Sequence, residues 1–154
     1  MTWCPQDPWF ASSSLADNLR IAAPAAEDDD LVRALQVVQL GPWFEALPDG
    51  LSTRLGRDAS ALSGGERVRL SVARAILGGQ VTVVLDEPTA HLDVPTASAL
   101  LRDVDHALDG RGLVLIGHDP ALETFGPVHR VEGGTFSAPR GSGGSTACRA
   151  PARG

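Results

Sequence analysis

Residues 81–89 read Val-Thr-Val-Val-Leu-Asp-Glu-Pro-Thr, an apolar, β-branched run that ends on two adjacent carboxylates. A buried strand of this kind would deliver Asp86 and Glu87 at its C-terminal end, where open α/β sheets bind their ligands. There Asp86 could orient Mg²⁺, usually through water, and Glu87 could polarise an attacking water. A strand that merely closes in a polar turn would read the same way. Upstream, residues 62–66 read Leu-Ser-Gly-Gly-Glu. A serine cap followed by two glycines leaves unshielded backbone N–H groups at a helix start, which is an anion site by geometry and dipole. An ordinary loop-to-helix junction also fits. His118 follows the apolar run Leu113 to Ile116, so it too would stand at a strand's C-terminal end, either as a donor to a terminal phosphate or as a structural histidine.

The elements that must position these groups are legible from pattern. Trp3 to Pro8 reads as a strand end running into a proline-closed loop. Ser12 to Ser14 offer caps for a short helix over Leu15 to Ile21. The acidic run Glu27 to Asp30 precedes an apolar pattern at Leu31, Ala34, Val37 and Val38, so it reads as dipole complementation and solvation and not as a metal site. Gly41-Pro42 is expected to stop that helix, and Pro48-Asp49-Gly50 marks a turn. Ser63 caps a helix over roughly Gly64 to Leu77, with Val68, Val72 and Ile76 on one face. Val81 to Leu85 and Leu113 to Ile116 read as strands buried on both faces of a mostly parallel sheet. Between them Asp93 and Pro95 start a helix whose Leu100, Leu101, Val104 and Leu108 point inward. A short helix from about Pro120, a strand near Val128 to Val131 and a Gly133-Gly134 turn complete the order of an α/β domain. From 139 to 154 Gly, Ser, Ala and Arg dominate, and a disordered tail is expected.

Bulk properties exclude several classes. The 154 residues carry a formal charge of -6, which argues against nucleic acid as a partner, since phosphate-backbone binders concentrate basic surface. No apolar run approaches the roughly 20 residues of a membrane span, and no basic region followed by an apolar stretch marks a secretory signal. Cys4 and Cys148 sit in unlike contexts and read as two unrelated thiols of a cytosolic protein. All 13 basic residues are arginine, and lysine is absent.

In combination the motifs resemble the ATP-binding-cassette (ABC) family of transporter ATPases. Leu62 to Glu66 is similar to the signature LSGGQ, with Glu66 in place of Gln, and Val83 to Glu87 to the Walker B strand with its glutamate. Ala90-His91-Leu92-Asp93 resembles the D-loop, His118 the switch histidine, and Gln6 the Q-loop glutamine. The resemblance covers roughly residues 3 to 135. Phe10 to Leu19 and Leu51 to Asp58 resemble exporter-type segments, although Arg54 replaces a usual Glu and Ala59 a usual Gly. Leu47 to Gly50 and Gly65 to Leu70 resemble the CydC/CydD group, heterodimeric exporter subunits linked to thiol or heme handling.

The resemblance implies a P-loop NTPase-like fold, N-terminally truncated. A helical subdomain at about 12–62 and a catalytic remainder at about 63–138 would make one partial domain, 1–138. It implies ATP and Mg²⁺ as cofactors, a second ABC ATPase domain and a transmembrane transporter domain as partners, and a place on the cytoplasmic face of the membrane. Ser63, Gly64, Gly65, Gln6 and Asp93 would contact nucleotide, Asp86 and Gln6 would serve Mg²⁺, Glu87 would be the general base, and His118 would stabilise the transition state. The family's phosphate loop, GxxxxGK[ST], needs a lysine. A chain without one is expected to hydrolyse no ATP alone, while Ser63 to Gly65 could complete a partner's site in trans. The competing expectation is a non-catalytic fragment or docking module that modulates a partner ATPase. DNA-repair and chromosome-organising ATPases share the signature and Walker B, but they approach them through a long coiled coil, and no heptads occur here.

Overall fold

Three hydroxyl or carboxylate side chains start the helices where the sequence predicts. Ser14 caps α1 (Leu15–Arg20), Ser63 caps α4 (Gly64–Leu77) and Asp93 caps α5 (Val94–Leu108), each accepting a first-turn N–H. The computed structural model describes residues 1–56, 62–90, 92–118, 122, 125, 129–132 and 135–137. The predicted helix near Pro120, the Gly133-Gly134 turn, His91, residues 57–61 and the tail at 139–154 lie outside them.

Between α1 and α4 come α2 (Asp28–Val37), α3 (Gly41–Glu45) and a 3₁₀ turn at Gly50–Ser52. One expectation is corrected here. Gly41-Pro42 does not end α2; Gln39, with φ of 59°, breaks the chain first, and Pro42 opens α3 in its first turn. A proline without an N–H fits a helix start, where that donor would be unpaired in any case.

The sheet has three parallel strands in the order β1 (Thr2–Cys4), β2 (Thr82–Asp86), β3 (Gly112–Ile116). Register pairs Cys4 with Leu85, Leu85 with Leu115, and Asp86 with Ile116. A separate antiparallel hairpin joins β4 (Arg130–Glu132) to β5 (Thr135–Ser137).

The larger core cluster runs from Phe10, Leu15, Leu19, Leu31 and Leu35 through Leu70 and Val72 to Val83, Leu85, Leu100 and Val104, and a smaller one gathers around Ala97 and Leu101. The inward positions expected on α5, Leu100, Leu101, Val104 and Leu108, are all buried. On α4 the buried stripe is wider than the spacing of Val68, Val72 and Ile76 suggests, taking in Leu70, Ser71, Ala73 and Ala75 as well. Cys4 is buried too, and its thiol donates to the Ser71 carbonyl at 3.6 Å, which ties β1 to α4. Asn18 is completely buried, yet its amide is fully paired. Its oxygen accepts the Ala11 N–H at 2.8 Å, and its NH₂ donates to the carbonyls of Ala11 and Ser14, at 3.0 Å each, and to Ser13 Oγ.

The sheet itself corrects a second expectation. Its strands alternate instead of being buried on both faces. Val83 and Leu85 point into the core, while Trp3 is 60% exposed, Val114 46% and Ile116 48%. Because Trp3, Val84 and Val114 align in register, they lie on one apolar sheet face, half-buried at Val84 and exposed at the two outer strands. Continuous apolar runs signal two buried faces only when both are covered.

Candidate nucleotide site at the sheet's C-terminal edge

Parallel strands all end on the same side, and neighbours lie about 4.8 Å apart. Gln6 leaves the end of β1, Asp86 and Glu87 the end of β2, and His118 the end of β3, so three adjacent strand ends bring these residues to one edge within roughly 10 Å. Gln6 is exposed and Asp86 half-buried. Neither has a hydrogen-bond or ion-pair partner among the described residues, so both keep oxygen atoms free.

Glu87 is held tightly. Its φ is 51°, in the left-handed region that a residue with a side chain seldom adopts. Its N–H donates to the Ile116 carbonyl at 2.9 Å, and its carbonyl accepts from Ala90 N–H at 3.1 Å. The carboxylate lies 2.9 Å from His118 Nδ1. Since a carboxylate only accepts, Nδ1 carries the proton in this pair and Nε2 is left as the free ring nitrogen. The histidine side chain is 91% exposed while the glutamate is 22% exposed, so one partner faces solvent and the other is sheltered.

The helix start is the second part. Ser63 Oγ accepts the Glu66 N–H at 3.3 Å, and the Glu66 carboxylate accepts the Ser63 N–H at 2.8 Å, a reciprocal capping box. Among the described residues the N–H groups of Gly64 and Gly65 have no partner at the positive end of a 14-residue helix. Arg69 lies over this turn: a Cβ on Gly65 would stand 3.5 Å from its guanidinium. Its Nε is buried without a partner. Burial pulls the Arg69 pKa down, and the Glu66 charge acts against that. The cation therefore offsets part of the negative charge that Glu66 adds in place of a neutral Gln.

Sequence reasoning missed one anchor of this region. Arg67 donates to the Asp7 carboxylate at 2.9 Å and to the Pro8 carbonyl at 3.4 Å. That binds the loop carrying Gln6 to the start of α4. Basic residues after a glycine pair carry no spacing signal for a partner 60 positions upstream.

The candidates thus fall into two groups. Gln6, Asp86, Glu87 and His118 share the sheet edge. Ser63, Gly64 and Gly65 stand at the same end in the helix layer, and no hydrogen bond or ion pair joins them to Asp86, Glu87 or His118 among the described residues. Asp93 belongs to neither group; its carboxylate is occupied in accepting the Thr96 N–H at 2.9 Å, which holds its pKa below the ordinary carboxylate value. No cluster of three or more His, Cys, Asp or Glu side chains converges among the described residues. A cation would have to take Asp86 and Gln6 oxygens and complete its shell from water and substrate. That donor set, hard oxygen and incomplete, fits Mg²⁺.

The ABC transporter family matches residues 1–90. The chain is 42% identical over 96 residues to the CydC glutathione/L-cysteine transport ATP-binding/permease protein of Bacillus subtilis, covering 62% of this chain and 17% of that protein. It is 36% identical over 113 residues to CydD of the same organism, covering 73% and 20%. It is also similar, at 37% over 113 residues, to the β-(1→2)glucan export protein NdvA of Agrobacterium vitis, covering 73% and 19%. Among solved structures, a bacterial Atm1-family ABC exporter with ATP bound superimposes with a TM-score of 0.71 at 25% identity, over 80% of this chain and 21% of that one. The chain spans about a fifth of the length of these relatives. The family match takes in more than half of the residues, and this chain belongs to the ABC transporter family.

Proposed function

We propose that these residues form the ATP-hydrolysing portion of an ABC exporter and contribute to two different nucleotide sites. The observation that carries this reading is the Glu87–His118 pair, 2.9 Å apart beside Asp86 at the C-terminal edge of a parallel sheet. Glu87 takes a proton from the attacking water, its sheltered carboxylate being held at the strand end beside His118. His118, anchored through Nδ1, turns Nε2 toward the terminal phosphate. Gln6 and Asp86 hold Mg²⁺, which when bound neutralises phosphate charge. Ser63 with the N–H groups of Gly64 and Gly65 binds the terminal phosphate of ATP carried by a second ABC ATPase domain. That no hydrogen bond or ion pair joins Ser63 to Gly65 with the carboxylates among the described residues supports assigning the two groups to different sites.

The 154 residues contain no lysine and so no GxxxxGK[ST] loop. Phosphoryl transfer is catalysed mainly by positioning and charge neutralisation, so the chain alone is inactive. Residues 12–62 act as the helical subdomain and 63–138 as the remainder of the catalytic core. The whole works at the cytoplasmic membrane face through a transmembrane partner; among the described residues no helix is long and apolar enough to cross a membrane. A docking module that needs no chemistry is the second reading, and the retained Glu87–His118 pair counts against it.

ATP turnover decides. The chain is assayed alone and mixed with a related full ABC ATPase domain whose own signature serine is disabled. Silence alone with activity on mixing supports the reading. Turnover by the chain alone, lost in Glu87→Gln, would overturn the requirement for the phosphate loop, and silence in both assays would favour the docking module.

A further inference from the structure

Glu87 is attached to residues 116–118 from two directions, by its N–H to the Ile116 carbonyl and by its carboxylate to His118. The residue between these anchors is Gly117. A Cβ at position 117 would stand 3.2 Å from Glu87 Oε2, 3.5 Å from its Cδ and 2.8 Å from Leu122 Cδ1. The last distance is one that real Cβ atoms do not show, and the first is tighter than nine in ten of them, so the ends of both side chains must give way. Leu122 is partly buried and packs against the small cluster of Ala97 and Leu101, so on that side it is backed by core. Glu87 cannot slide along its backbone either, since its positive φ and its bond to Ile116 fix where the side chain begins.

We propose that Gly117 is a positioning residue for Glu87. The space left by its missing side chain is the seat in which the carboxylate lies folded back on the end of β3, within reach of His118. With any side chain at 117 the carboxylate is displaced, and the Glu87–His118 pair opens. The glycine thereby makes the paired, withdrawn carboxylate the resting arrangement of this chain. This rests on the reading of Glu87 as the base, but the seat itself is measurable without turnover.

The readout is the protonation of the His118 ring in the full chain, by ¹⁵N NMR at a pH where the ring is neutral. Pairing with a carboxylate fixes the proton on Nδ1. The wild-type ring is expected to show the Nδ1–H signature, and Glu87→Ala to lose it. Gly117→Ala is expected to lose it to the same extent, with the amide spectrum of the helices unchanged. Gly117→Ala with Leu122→Ala removes the closer clash and leaves the contact with the carboxylate, so the signature should stay lost. It also serves as the readout if Gly117→Ala alone does not fold. The proposal is overturned if Gly117→Ala keeps the Nδ1–H ring, if the double variant regains it, or if Glu87→Ala never loses it. Glu87→Gln in the mixed turnover assay tests the base assignment by itself, so the two ideas can fail separately.

Discussion

Glu66 places a negative charge on the turn that is to bind a phosphate. Its carboxylate occupies the Ser63 N–H, and its charge repels an anion bound at that turn by on the order of 1 kcal/mol at a solvated surface. Glu66→Gln keeps an oxygen for the cap and removes the charge. We expect the KM for ATP in the mixed assay to fall about 3- to 10-fold, following that energy; an unchanged KM would show that Arg69 already cancels the charge. Asp93 gives a pH prediction. Its folded pKa is depressed, chiefly by the Thr96 N–H, so its contribution is present above the unfolded carboxylate value and is lost as pH falls through the folded one. Asp93→Asn keeps the cap without the titration. The decline of the urea midpoint below about pH 4 should be shallower in that variant than in wild type. At this scale the sequence was informative where a motif has fixed spacing. Asp86, Glu87 and His118 do meet at one edge. Asp93, by contrast, is engaged in capping, and the role of Gly117 was invisible because it depends on where Leu122 and Glu87 arrive from elsewhere in the chain.

Among the elements, α1 shows how a short helix survives without length. Six residues are too few to be stable alone. The Ser14–Asp17 capping box and the four hydrogen bonds of Asn18 hold it against the segment 11–14. Asn18→Leu would leave the Ala11 N–H without its partner, while the Ala11 carbonyl keeps the Ser13 N–H, at a cost of about 1–3 kcal/mol. The urea midpoint should drop accordingly, and a shift under about 0.5 kcal/mol would mean that water replaces the amide. Helix starts were readable because caps are local chemistry. The end of α2 was not, since Gln39 takes a left-handed conformation that its residue type does not announce. The two-sided burial expected of β2 and β3 failed for a different reason: strand composition records what a strand can bury, not what stands over it.

For the molecule as a whole, that open face is the dominant fact. Trp3, Val84 and Val114 form a register-aligned apolar strip, with β1 and β3 both presenting unpaired edges among the described residues. Such a surface drives association. The isolated chain should therefore self-associate at micromolar concentration in sedimentation experiments, and Val114→Lys should raise the monomer fraction severalfold while leaving helix content intact. Equal association of both would place the contact elsewhere.

The thiol of Cys4 has a use that follows from its position. It lies beneath β1 and reaches Ser71, and burial pushes its pKa upward, so a modifying reagent finds neither access nor thiolate while the strand is docked. With Cys148 replaced by serine, the alkylation rate becomes a clock for departures of β1 from its neighbour. Read against an unfolded standard, that clock gives the free energy with which the loop bearing Gln6 is fastened to the sheet, and any slowing on addition of a companion domain would time their embrace directly.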